Sequence, residues 1–130
     1  MAVRVFKRVF LAGAVLAFNG CAAVAEPVAP VPLIQSWLAE CADIAPKGVR
    51  VENARVMFDA DFVVKQPIGV CGCMSAIAGY HSIVVEGGKE NLVQRGHFDL
   101  MSSGAKTFDL GPVVKGDASR VVRFMCAGPR

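Results

Sequence analysis

Cys41, Cys71, Cys73 and Cys126 are the residues whose type and spacing could do chemistry, and the tight pair Cys71-Gly72-Cys73 could do three kinds of it. Oxidised, the thiols cross-link the chain. As a couple, Cys71 and Cys73 could cycle between a dithiol and a strained, oxidising disulfide, which requires an exposed thiolate of low pKa at a helix N-terminus or beside a cation. As ligands, Cys71, Cys73 and Cys126 with His81, His97 or Met125 would make a soft site for copper(I) or zinc. The pair follows a loop and enters an extended stretch, its spacing is not that of a zinc motif, and a metal site would leave Cys41 over. Cross-linking is the favoured reading. Four cysteines permit three pairings. Extended backbone holds residues i and i+2 too far apart for usual disulfide geometry, so each thiol of the pair is expected to reach a distant partner, one Cys126 and the other Cys41, with the assignment open. A Cys73–Cys126 bridge would close a loop of about 54 residues, worth roughly 4 kcal/mol before strain. That rivals the whole net stability of a small domain.

Disulfides persist in oxidising compartments, and the start of the chain supplies a route to one. Arg4, Lys7 and Arg8 form a positive n-region, Val9 to Phe18 an apolar run, and Ala23-Val24-Ala25 a cleavage site, so residues 1-25 read as a secretory signal peptide. The apolar run is too short for a bilayer span, which needs about 20 residues, so no transmembrane span is expected after cleavage. Gly20 before Cys21 makes lipidation of Cys21 a second reading, although the aliphatic residue three positions before that cysteine is missing. Residues 26-32 carry Pro27, Pro30 and Pro32 and form an extended Pro-rich linker, leaving 33-130 as the domain. The expected location is periplasmic or secreted, with lipid anchoring through Cys21 as the variant. The 14 basic residues lose Arg4, Lys7 and Arg8 with the leader, and the 11 that remain match the 11 acidic ones. A neutral exported chain lacks the electrostatic term on which nucleic-acid binding depends.

The elements that must position the cysteines follow from periodicity and turn chemistry. Leu33, Ile34, Trp37, Leu38 and Cys41 recur at helical spacing, which predicts a short amphipathic helix over 32–43, with Trp37 packed on a sheet and Cys41 fixing the helix end. Val49 to Val64 reads as one strand kinked near Asp59, or two joined there. The organising strand is expected over 70–85, turning at Gly87-Gly88 into a second strand ending at Met101, since a type I′ turn demands positive φ at both central residues. That register sets Ile83 opposite Leu92 and Ile77 opposite Phe98 on a core face. Tyr80, Val84 and His97 fall on the outer face, the candidate partner surface. A terminal strand from Arg120 directs Val122, Phe124 and Cys126 to one side. Short strands between Gly and Pro turns predict a mostly β fold, a small antiparallel β-sandwich of immunoglobulin-like type with a short N-terminal helix.

Asp59 and Asp61 lack the further carboxylates of a calcium loop. His97 and Asp99 share a strand face with no nucleophile beside them. No catalytic residue and no cofactor are assigned. From Cys41-Ala42-Asp43-Ile44 through Cys71-Gly72-Cys73-Met74-Ser75-Ala76 and Tyr80 to Gly96-His97-Phe98 and Cys126-Ala127, the chain resembles a family of small exported bacterial proteins known as a domain of unknown function. The resemblance implies a secreted, cysteine-bridged, β-rich domain and transfers no catalytic residue. The reading that results is a non-catalytic module binding a periplasmic or envelope protein, with thiol redox or soft-metal chemistry at Cys71 and Cys73 as the alternative.

Overall fold

The computed structural model describes residues 30–116 and 118–128; the expected leader, Cys21 and most of the expected Pro-rich linker lie outside them. Seven strands follow in chain order: β1 Leu33–Ser36, β2 Ala42–Glu52, β3 Arg55–Val64, β4 Ile77–Glu86, β5 Lys89–Asp99, β6 Gly104–Pro112 and β7 Ser119–Cys126. They build a four-stranded sheet ordered β1-β7-β4-β5 and a three-stranded sheet ordered β2-β3-β6. The fold is mostly β, as expected. Its strand order is not that of a constant-type immunoglobulin domain, whose four-stranded sheet joins the first, second, fifth and fourth strands. Here the first strand lies parallel to the seventh, and the fourth and fifth stay together as a hairpin.

Alternation explains the core between the sheets. Phe58 and Phe62 of β3 and Phe108 of β6 point from one sheet toward Tyr80 of β4, Phe98 of β5 and Phe124 of β7 in the other. Phe108 is the hub, with five aromatic rings at centroid distances between 5.0 and 6.3 Å.

Several expectations are corrected. No helix forms over 32–43. Leu33 to Ser36 instead pair with Val121 to Phe124, and the Trp37 amide donates to the Phe124 carbonyl at 3.0 Å. A lone helix of three turns is marginal in water, whereas the edge of β7 offers unpaired backbone groups. Only a turn follows, with the Cys41 and Ala42 amides both donating to the Leu38 carbonyl at 2.9 Å. Trp37 is therefore 70% exposed rather than packed on a sheet, and Leu38 takes the buried place. The joint between β2 and β3 falls at Asn53-Ala54, both at positive φ, and not at Asp59, which lies within β3.

The Gly87-Gly88 turn pairs Glu86 with Lys89 as expected, but a bulge at Val93 shifts the ladder, so that Ser82 meets Gln94, Tyr80 meets Gly96 and Ala78 meets Phe98. Ala78 and Tyr80 face the aromatic core and Ile77 does not, while Ile83 stands opposite Leu92 as expected and is buried outside that cluster. Tyr80 lies over Gly96: a Cβ there would come within 2.6 Å of the tyrosine ring. Gly96→Ala is expected to cost about 1–3 kcal/mol by overpacking. Gly79→Ala, whose Cβ would meet nothing nearer than 3.5 Å, should cost much less in the same urea titration.

The end of the molecule that carries the Gly87-Gly88 turn is braced by polar groups. Arg120 donates to the Ser82 hydroxyl at 2.9 Å, to the Leu110 carbonyl, and to the Pro112 carbonyl at 2.8 Å, tying β7 to β6. Burial pulls its guanidinium below the usual value, against the opposing charge of Asp109. The Tyr80 hydroxyl donates to the Asp109 carbonyl at 2.8 Å. Burial pushes the Asp109 carboxyl up, but hydrogen bonds from Arg55 and the Gly111 amide and the charges of Arg55 and Arg120 outweigh it and hold the group below its ordinary value. With the folded pKa below the unfolded one, the stabilisation is complete above the unfolded value, near 4, and is lost as pH falls through the folded pKa. Asp109→Asn should lower Tm at pH 7 and flatten the fall of Tm below pH 4. Parallel acid limbs in calorimetry would contradict this.

Candidate binding groove at the disulfide end

At the opposite end, the chain leaving β3 passes Pro67 into one turn of 3-10 helix over Ile68–Cys71. Gly72 stops it at φ +91°, donating its amide to the Gly69 carbonyl at 3.1 Å, while the Cys73 amide donates to the Ile68 carbonyl at 3.2 Å. Only glycine takes that conformation at little cost. The reversal separates the neighbouring thiols. Cys71 is bonded to Cys41 at the head of β2, and Cys73 to Cys126 at the end of β7. The organising strand therefore begins at Ile77 and not at Val70, and the two cysteines lie in a turn ahead of it.

These bridges take up every cysteine on which the metal and redox readings drew. Cys71 and Cys73 are not bonded to one another, and among the described residues all four cysteines are bridged. Among the described residues, no three His, Cys, Asp or Glu side chains come together as ligands. His81 and His97 stand on the outer face of the four-stranded sheet, where His81 pairs with Arg95 and Arg123 across the ladders. Burial and then those two arginines lower the His81 pKa.

The Cys73 turn also walls a groove of about 450 Å³ between the segment after β3 and the chain leaving β5. Ile68, Leu100 and Cys73 are buried along it, while Met74 at 95% exposure and Met101 at 72% reach into solvent. The Leu100 amide donates to the Ala76 carbonyl at 2.9 Å, which fixes one wall against the other. The lining side chains of Lys65 and Gln66 are engaged elsewhere: Lys65 donates to the Ala39 carbonyl at 2.9 Å and pairs with Asp43 at 3.2 Å, and Gln66 donates to the Glu40 carbonyl at 2.9 Å. What remains open is mostly apolar, with Met74 and Met101 among its lining and Ser75 the one further polar side chain there.

The outer face expected of Tyr80, Val84 and His97 is not assembled. Tyr80 is 7% and Val84 5% exposed, because β4 turns its even-numbered residues inward, and only His97 faces solvent. Both faces of β4 carry apolar residues, so alternation could not choose between them. Met74 and Met101 were missed for a related reason. Read as part of a long strand, Met74 was one more alternating residue, and the cue that it sits in a turn was Gly72.

The fold and groove define a disulfide-clamped β domain of two sheets with an apolar cleft at its bridged end. The chain belongs to the family described as an uncharacterized protein conserved in bacteria (DUF2195), which matches residues 15–129. No curated protein and no solved structure matches it. Among the described residues, no helix is long and apolar enough to cross a membrane.

Proposed function

We propose that this protein is an exported β-sandwich module, cleaved after Ala25 or held by a lipid on Cys21, that binds a partner protein of the cell envelope without catalysing a reaction. The groove at the bridged end carries that reading. Exposed Met74 and Met101 line it together with buried Ile68 and Leu100, and exposed apolar clusters mark sites of interaction. Methionine suits such a surface because its unbranched thioether adapts to irregular partners. The leader supports export, and two bridges suit an oxidising compartment.

Capture from a periplasmic extract by the tagged exported chain is the test. Met74→Lys and Met101→Lys each place a charge at the groove mouth without touching the core, and each should reduce capture of the same partner at least tenfold. Equal capture by both variants would remove the groove from the binding surface. Intact mass reports the processing site independently.

A further inference from the structure

We propose that the groove receives an aromatic side chain borne on an uncharged stretch of the partner polypeptide, an inference that rests on the groove being the binding surface. Three of its lining residues carry sulfur, Met74, Met101 and the Cys73 of the Cys73–Cys126 bridge. Polarizable sulfur makes favourable contacts with the edges of aromatic rings, and buried Ile68 and Leu100 supply the apolar bed that such a ring needs. Lys65 is the one ionisable residue among those that line the groove, and its ammonium is already held by the Ala39 carbonyl and Asp43. An anionic head group would find no free counter-charge there, and a neutral segment loses nothing by entering.

The described chain enters the fold away from the groove. Leu33 of β1 pairs with Val121, which pairs with Ile83, whereas the groove lies beyond Ile77 at the other end of β4. Six residues of strand separate these levels, about 20 Å. The described chain thus begins, at Pro30, toward the end remote from the groove, which leaves the groove clear of the strand by which the chain enters the fold.

The test uses the exported chain labelled with 13C in its methionine methyl groups, assigned with Met74→Leu and Met101→Leu. The probes are the peptide acetyl-Gly-Gly-Phe-Gly-Gly-amide, the same peptide with leucine in place of phenylalanine, and vesicles of phosphatidylethanolamine and phosphatidylglycerol. The phenylalanine peptide should move the Met74 and Met101 methyl signals upfield and saturably, leave those of Met57 and Met125 in place, and bind more tightly than the leucine peptide. Met74→Leu should weaken it by roughly two- to tenfold, the value of a sulfur–ring contact. Equal binding of the two peptides, or no saturable shift at millimolar phenylalanine peptide, would overturn the aromatic assignment. A response to vesicles alone would make the occupant a lipid surface. If the peptide fails while Met74→Lys still abolishes capture from extract, only the aromatic assignment falls; if capture is also unchanged, the groove itself is not the site.

Discussion

Removing one bridge as the pair Cys73→Ala and Cys126→Ala should lower the free energy of unfolding by about 4 kcal/mol in urea titration, because that cross-link denies the unfolded chain the freedom of a long loop. The bridged residues stand 53 apart in sequence, against 30 for Cys41 and Cys71, so the second bridge is worth slightly less, roughly 3.7 kcal/mol. The two loops follow one another and meet at Gly72 without overlapping, so their effects should be close to additive. Loss of both would consume most of the 5–15 kcal/mol typical of a folded domain. The denaturant slope m should rise in each double variant as the unfolded chain expands. A loss below about 1 kcal/mol for the longer loop would mean that the unfolded chain is already compact there.

Phe108→Ala should cost a comparable amount, about 3–5 kcal/mol, since it deletes a buried ring and leaves a cavity between two sheets that cannot easily collapse. Phe108 is buried and touches rings from both sheets, including Phe62, Tyr80, Phe98 and Phe124. Phe58→Ala removes a ring that, among the described residues, pairs with Phe108 alone of the aromatics, at 6.3 Å, and should cost less. A double-mutant cycle between Phe108 and Phe124 should return a coupling of about 0.5–1.5 kcal/mol. Additive losses would show that the rings merely fill volume.

Much of this architecture is readable from the residues because local chemistry and long-range burial agree there. Gly87-Gly88 needs positive φ, and the turn forms where it stands. Val122, Phe124 and Cys126 alternate on one face of β7 against a face broken by Arg123, and all three belong to the core or pack against it. Reading fails where two patterns coexist. Leu33, Ile34, Trp37 and Leu38 satisfy a helical stripe as well as a short strand, and an open edge on β7 decides between them. On β4 the odd residues Ile77 and Ile83 compete with the even residues Ala78 and Tyr80, and the space that Gly96 leaves for the tyrosine ring settles the choice. The Asn53-Ala54 turn carried its own signal, since asparagine tolerates the left-handed region, but the neighbouring Asp59-Ala60-Asp61 looked more like a break. The groove had no such signal. Its walls come from three separate segments that only the folded chain brings together.

The pairing of the sulfurs tests the central claim most directly: two bridges meeting at Gly72 clamp one end of the domain. The chain purified without reductant and alkylated before reduction should take up no label at Cys41, Cys71, Cys73 or Cys126. In Cys73→Ser the single labelled thiol should map to Cys126, and in Cys71→Ser to Cys41. Reactive thiols in the native chain, or a freed thiol at Cys41 in the Cys73→Ser variant, would contradict it.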